Sequence, residues 1–168
     1  MRLLASAASS QPNACGHVKH RWAFLEAGAY TMNNNLQLAQ EYIHAIEDGA
    51  TGDALSRFFT PDVVVQEMPN RIAPRGSISD LTNALQGAER GRPIFTRQTY
   101  NITNLLADGN RVALEIDWLG VTAIQNLPAG SEMRDHVAIF LEFRDGRIAR
   151  QRHYDCFEPK GARVAYSP

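Results

Sequence analysis

The stretch from Gly130 to Asp155 most constrains what this chain can fold into, because it reads as two long antiparallel strands joined at Arg144-Asp145-Gly146. Asp-Gly supplies the positive φ angles that a tight hairpin needs. In the first strand Met133, Val137, Ile139, Leu141 and Phe143 share one face at period two, while Glu132, Arg134, His136 and Glu142 fall on the other. Asp135 interrupts the apolar face. A carboxylate in that company has to be hydrogen-bonded, neutralised or facing a wet cavity. The returning strand puts Ala149, Gln151, His153 and Asp155 on one face and Ile148, Arg150, Arg152 and Tyr154 on the other. Counting out symmetrically from Asp145 pairs Asp135 with Asp155. Asp135 and His153 then become diagonal neighbours, within about 8 Å.

A chain of 168 residues is one domain, long enough to bury a core without staples. Its 44% hydrophobic and 21% charged residues fit a soluble globular protein. A net charge of −1 gives no electrostatic case for nucleic acid or for an anionic membrane surface. Cys15 and Cys156 lie far apart, without the spacing of a zinc site or a disulfide framework, so the expectation is no metal, no cofactor and a reducing cytoplasm. Residues 1–31 lack sustained periodicity and are expected to be a flexible extension, and Leu3-Leu4-Ala5 is too short an apolar run for a secretory signal. Met32 resembles an ordinary protein start, an expectation that an intact mass from the native host would check. The domain is expected over 32–158, with a tail over 159–168.

From Met32 onward, Asn33 to Asn35 offer a helix N-cap, and Leu36, Ala39, Ile43 and Ile46 recur at helical spacing until Asp48-Gly49. A second helix is expected from Gly52 to Phe59, stopped by Thr60-Pro61. Asp62 to Met68 reads as a short strand, and Ser77 as the cap of a third helix running to about Ala88. The pattern then changes to strands: Thr96 to Leu106 and Arg111 to Thr122 flank Asp108-Gly109-Asn110, a second hairpin signal. Val112, Leu114, Ile116, Trp118 and Gly120 share a face, leaving Glu115 and Asp117 on the other. Three helices followed by long antiparallel strands predict an α+β fold in which a curved, cone-shaped sheet wraps around the helices.

Several local patterns together resemble the SnoaL-like family of the nuclear transport factor 2-like superfamily. They are Glu41-Tyr42-Ile43-His44-Ala45-Ile46-Glu47-Asp48-Gly49, Phe58-Phe59-Thr60-Pro61-Asp62-Val63, and Phe143-Arg144-Asp145-Gly146-Arg147-Ile148 leading into Arg152-His153-Tyr154. The resemblance runs from about Leu36 to Phe157. It implies a cystatin-like half-barrel with a pocket between sheet and helices, in a homodimer. It does not fix the activity, since the superfamily includes isomerases, cyclases, epoxide hydrolases, dehydratases and proteins without catalysis. Tyr42 stands where ketosteroid isomerases carry the oxyanion-hole tyrosine, and Glu67 where they carry the carboxylate base. Ile139 replaces their second oxyanion donor. Limonene epoxide hydrolases use an Asp-Arg-Asp set plus Tyr and Asn; Ile116, Trp118 and His153 stand at the first set, and Val65 and Glu67 at the second. The remaining likeness is to polyketide-cyclase-like members.

Four side chains therefore become catalytic candidates: Asp135, His153, Glu67 and Tyr42. A carboxylate among apolar groups has its pKa raised by desolvation, which suits general acid or base work near neutrality. The plain alternative is a structural carboxylate satisfied by a backbone amide or an arginine. An Asp-oriented His153 would serve as a base, or else it is a packed, satisfied ring. Glu67 lies on a strand apolar on both faces, so periodicity does not decide where it points. Tyr42 is either an oxyanion donor or a core tyrosine with its hydroxyl at a wet edge. Trp118 is expected as a pocket wall. The pocket implied by the resemblance would be completed by Ile43, Ile46, Val65, Ile116, Val137, Ile139 and Asp155. The expected function is cofactor-independent isomerisation, cyclisation or dehydration of a small hydrophobic carbonyl compound. The alternatives are a non-catalytic ligand-binding module and a protein-interaction domain. The outer-face residues Arg134, His136, Phe140, Arg152 and Tyr154 are the expected homodimer surface.

Overall fold

The computed structural model describes residues 34–123, 128 and 130–159. The expected extension over 1–31 and, Pro159 apart, the tail over 159–168 lie outside them. Helix α1 spans 34–47 and turns Ala39, Tyr42 and Ile43 inward, where Ala39 and Ile43 lose all solvent exposure. Helix α2, Gly52–Ser56, ends before the expected Phe59. Pro61 disfavours helical geometry in the residue before it. Phe59 accordingly opens strand β1, Phe59–Glu67, with both phenylalanines still buried.

The expected helix cap at Ser77 is overturned. Ser77–Ser79 forms a short strand, β2, that pairs antiparallel with β1. Gly76 makes the return possible, with φ +61 and a backbone so close to β1 that an added Cβ would lie 2.5 Å from the Glu67 carbonyl oxygen. Helix α3, Leu81–Gly91, starts instead from Asp80, whose side chain accepts from the Asn83 N–H at 2.9 Å.

Strands β3 (Phe95–Asp108), β4 (Arg111–Thr122), β5 (Glu132–Arg144) and β6 (Arg147–Phe157) complete a six-stranded sheet in the order β2-β1-β6-β5-β4-β3. All pairs are antiparallel except β1 with β6, which run parallel and are joined through the rest of the chain. The α+β class is therefore observed, as an open cone-like sheet whose inner face meets the helices in one core. Burial alternates along β4 and β5 as period two requires, so Leu114, Ile116, Ile139, Leu141 and Phe143 point inward. Gly49 is left-handed at the end of α1 (φ 75), the one helix stop that the sequence marked with Asp-Gly.

The β5–β6 register departs from the symmetric count. Asp145 (φ 52) and Gly146 (φ 70) form a two-residue turn that pairs Arg144 with Arg147. Ala149 is then an extra, unpaired residue, because Phe143 pairs with Ile148 while Glu142 pairs with Arg150. The bulge carries Ile148 from its expected outer position into the core, fully buried, and still returns Gln151, His153 and Asp155 to the inner face. Asp135 consequently pairs with Phe157, Val137 with Asp155, and Ile139 with His153.

Candidate active site

The strand registers lay the inner face out in rows. Tyr100, Trp118, Asp135 and Phe157 make one row; Ile102, Ile116, Val137 and Asp155 the next; Leu114, Ile139, His153 and Glu67 the third. Asp135 is therefore a diagonal neighbour of Asp155, and His153 lies a further row away. The expected diagonal contact of Asp135 with His153 is absent, and Asp155, expected directly opposite Asp135, takes the diagonal place, which leaves a pair of carboxyl groups.

Asp135 is 3% exposed, with Oδ1 buried and without a hydrogen-bond partner among the described residues. Burial, reinforced by the negative charge of Asp155, pushes its pKa up to about 7. Asp155 is also raised, chiefly by burial, while His153 pulls it the other way. Two neighbouring carboxyls in a poorly hydrated place do not both ionise readily, so the pair retains a proton near neutrality.

Glu67, His153 and Asp155 meet at the β1–β6 junction, their potential ligand atoms within 4.8 Å of one another. Two carboxylates and an imidazole are donors that a divalent cation accepts. In this structure an amide fills the bridging role: Asn70 Nδ2 donates to Glu67 Oε1 at 2.8 Å and to Asp155 Oδ2 at 3.1 Å. The amide cannot be reversed, because its Oδ1 accepts the Ile72 and Ala73 backbone N–H groups at 2.8 and 2.7 Å. The loop after β1 is thereby tied to both carboxylates. Asn70 was not among the residues that the sequence singled out; only its place in a loop rich in Pro and Gly marked it.

Tyr42, expected as an oxyanion donor, donates its hydroxyl to Gln151 Oε1 at 2.7 Å. It packs against Phe58 and Phe59, and burial drives its pKa well above the ordinary tyrosine value. The hydroxyl proton is thus committed to a buried partner. Ile43 is likewise sealed in the core, as are Ile116 and Ile139, whereas Val65 and Val137 are half-buried against it.

A cavity of about 180 Å³ opens between the three helices and β3, and Ile46 is the one expected pocket residue on its wall. Leu55, Ala88 and Phe95 supply further apolar lining, and Thr51, Arg92, Gln98 and Tyr100 supply the polar side chains. Trp118 packs behind the lining residues Phe95 and Tyr100 and is the cross-strand partner of Asp135. Its ring stands edge-on to Phe95 at 5.1 Å and to Tyr100 and Phe157 at 6.4 Å, and its Nε1 donates to Gln98 Oε1 at 3.2 Å. Tyr100 lies within electrostatic reach of Asp155, Glu47 and Asp135; burial first, and these charges second, push its pKa up to about 12. Tyr100, rather than Tyr42, is the tyrosine that shares a row with Asp135. Period-two alternation of Gln98, Tyr100 and Ile102 along β3 is the signal that could have found both polar residues.

Residues 39–151 match the family model described as a SnoaL-like domain. No curated protein sequence matches the chain. Among solved structures, IdmH from Streptomyces antibioticus, a proposed polyketide cyclase, is 19% identical with a TM-score of 0.61, covering 72% of this chain and 91% of that one. An LEH-like epoxide hydrolase from M. tuberculosis is 16% identical with a TM-score of 0.59 over 74% and 84%. A phenazine biosynthesis-related protein from Pseudomonas aeruginosa is 17% identical with a TM-score of 0.63 over 79% and 85%. At these identities the likeness is one of fold.

Proposed function

The chain belongs to the SnoaL-like domain family, and on that premise we propose that it is a small-molecule enzyme in which Asp135 moves a proton on a hydrophobic carbonyl compound. The observation that carries this reading is a carboxyl buried among apolar groups and paired across the strands with Trp118, a setting that pushes its pKa up to about 7. Near neutral pH such a group is present in both protonation states, so it can take a proton from carbon and return one. Asp155 sets that balance by its charge, and Asn70 fixes Asp155. The developing negative charge on the substrate oxygen needs a donor in a poorly hydrated place. The Gln98 side-chain amide lines the cavity and supplies that donor, the Tyr100 hydroxyl being given to Gln98 Oε1.

The test uses acetophenone, a one-ring ketone, in deuterated buffer with proton NMR of its α-hydrogens. Acceleration of exchange by the wild-type protein, lost after heat denaturation, is the expected result. Uptake of acetophenone without any acceleration across a panel of enolisable ketones would overturn the catalytic reading in favour of a ligand-binding module.

The outer sheet face suits a second copy of the chain. Phe140, 42% exposed, stacks edge-on with Tyr154 at 5.9 Å and lies under the Arg152 guanidinium, an aromatic and cationic patch of the kind enriched at interfaces. Sedimentation equilibrium should give twice the 18.7 kDa chain mass; a single-chain mass at micromolar concentration would sink this assembly.

A further inference from the structure

We propose that Gln98 is the residue that selects the substrate, by donating a hydrogen bond from Nε2 to an acceptor oxygen on a compact, planar, otherwise apolar molecule. This inference rests on the reading that the cavity beside Trp118 is the substrate site, and it adds the chemical class that the site takes. Indole Nε1–H is a donor only, so the Gln98 atom that it meets at 3.2 Å has to be the carbonyl oxygen. Tyr100 Oη donates to the same oxygen at 3.3 Å. Two donors on one carbonyl fix the plane of the amide. Its two Nε2 hydrogens are then oriented away from Trp118 and Tyr100, and among the described residues no acceptor takes them. Gln98 lines the cavity together with Thr51 and Arg92, and its amide hydrogens are the donors there whose direction two hydrogen bonds fix.

The rest of the lining limits what that ligand is. Ile46, Leu55 and Ala88 are aliphatic, Phe95 and Tyr100 are flat, and the charge on the lining is that of Arg92, an exposed residue. A volume of about 180 Å³ exceeds the ~150 Å³ apolar cavity that takes up benzene. One ring bearing a carbonyl therefore fits, with the carbonyl at Gln98 and the ring among the apolar side chains.

A pair of probes of the same shape isolates this hydrogen bond. Acetophenone and α-methylstyrene differ by oxygen against methylene, and their affinities can be compared by titration calorimetry. A neutral hydrogen bond changes affinity by a few-fold to about tenfold, so the wild-type protein should prefer acetophenone by about fivefold to tenfold. Gln98→Met should bring the ratio to about one while leaving α-methylstyrene affinity within about twofold. Gln98→Glu keeps an acceptor for Trp118 and removes the donor, and it should invert the preference. An unchanged ratio in both variants, equal affinities in the wild type, or no binding of either probe would each overturn the assignment. Loss of ketone exchange with the probe preference intact would fall on the catalytic reading and not on Gln98.

Discussion

Asp135→Asn should yield a protein more stable than the wild type at pH 8, yet slower in ketone exchange by at least about 100-fold, the low end of what a positioned acid or base contributes. The two effects share one cause. The native pKa of Asp135 is raised from 3.8 to about 7, so the native state binds a proton more tightly than the unfolded chain does. The stability that this proton contributes is fully present below about pH 4 and is lost as pH rises through about 7. Above that point the native protein carries a buried charge, which the amide does not have. A tenfold change in proton affinity corresponds to about 1.4 kcal/mol. The whole window is thus worth on the order of 2 to 4 kcal/mol, less whatever water penetration recovers. Asp155, raised in the same direction, adds a slope of the same sign that the substitution leaves in place. Urea unfolding at pH 5, 6, 7 and 8 checks the stability half, and proton exchange into acetophenone the catalytic half. Coincident stability profiles together with unaltered turnover would remove Asp135 from the mechanism.

That experiment also marks the boundary of what sequence alone discloses. The inward direction of Asp135 follows from period two along β5, a property that a continuous antiparallel strand enforces residue by residue. Its partner does not follow, because register depends on the turn and on any bulge between turn and site. One residue of error came from treating Asp145 as the centre of the turn, and one from Ala149, which nothing in Arg147-Ile148-Ala149-Arg150 marks as unpaired. Together they move Asp155 from directly opposite Asp135 to the diagonal position and carry His153 a row farther off, so the expected acid/base couple is lost and a carboxyl pair remains. Tyr42 fails to stand free for a different reason. Helical periodicity places it near the core, but whether its hydroxyl finds a buried acceptor depends on Gln151, 109 residues away. The strand Ser77–Ser79 escaped because three residues are too few for any periodicity, and Gly76 is readable as a turn only once β1 is known to lie against it.

Trp118→Ala should be the most damaging single substitution in the site, costing about 3 to 5 kcal/mol of stability and drawing the Asp135 pKa back down. The indole is 8% exposed and touches three other aromatic rings, so its loss opens a hole beside the carboxyl pair. Nothing nearby can take its place. Gly120 lies directly beneath the ring, where even one added methyl carbon would stand 2.4 Å from the indole, and this seat would be left as a hole. Water entering there restores solvation to the Asp135 carboxylate. Since desolvation is the largest cause of its elevation, the pKa should move toward 3.8 and the pH dependence of stability should shift downward with it. Carbon-13 NMR of the aspartate carboxyls, assigned by the resonance missing in Asp135→Asn, follows this titration directly. Trp118→Phe supplies the control if the alanine variant is too unstable to study. It keeps a ring against Phe95 and Tyr100, gives up the bond to Gln98 and leaves a smaller hole over Gly120, so it should cost about 1 to 2 kcal/mol and lower the Asp135 pKa far less than the alanine variant does. An Asp135 pKa that falls equally in the Phe and Ala variants would show that the Gln98 hydrogen bond, not exclusion of water by the ring, holds the carboxyl in its raised state.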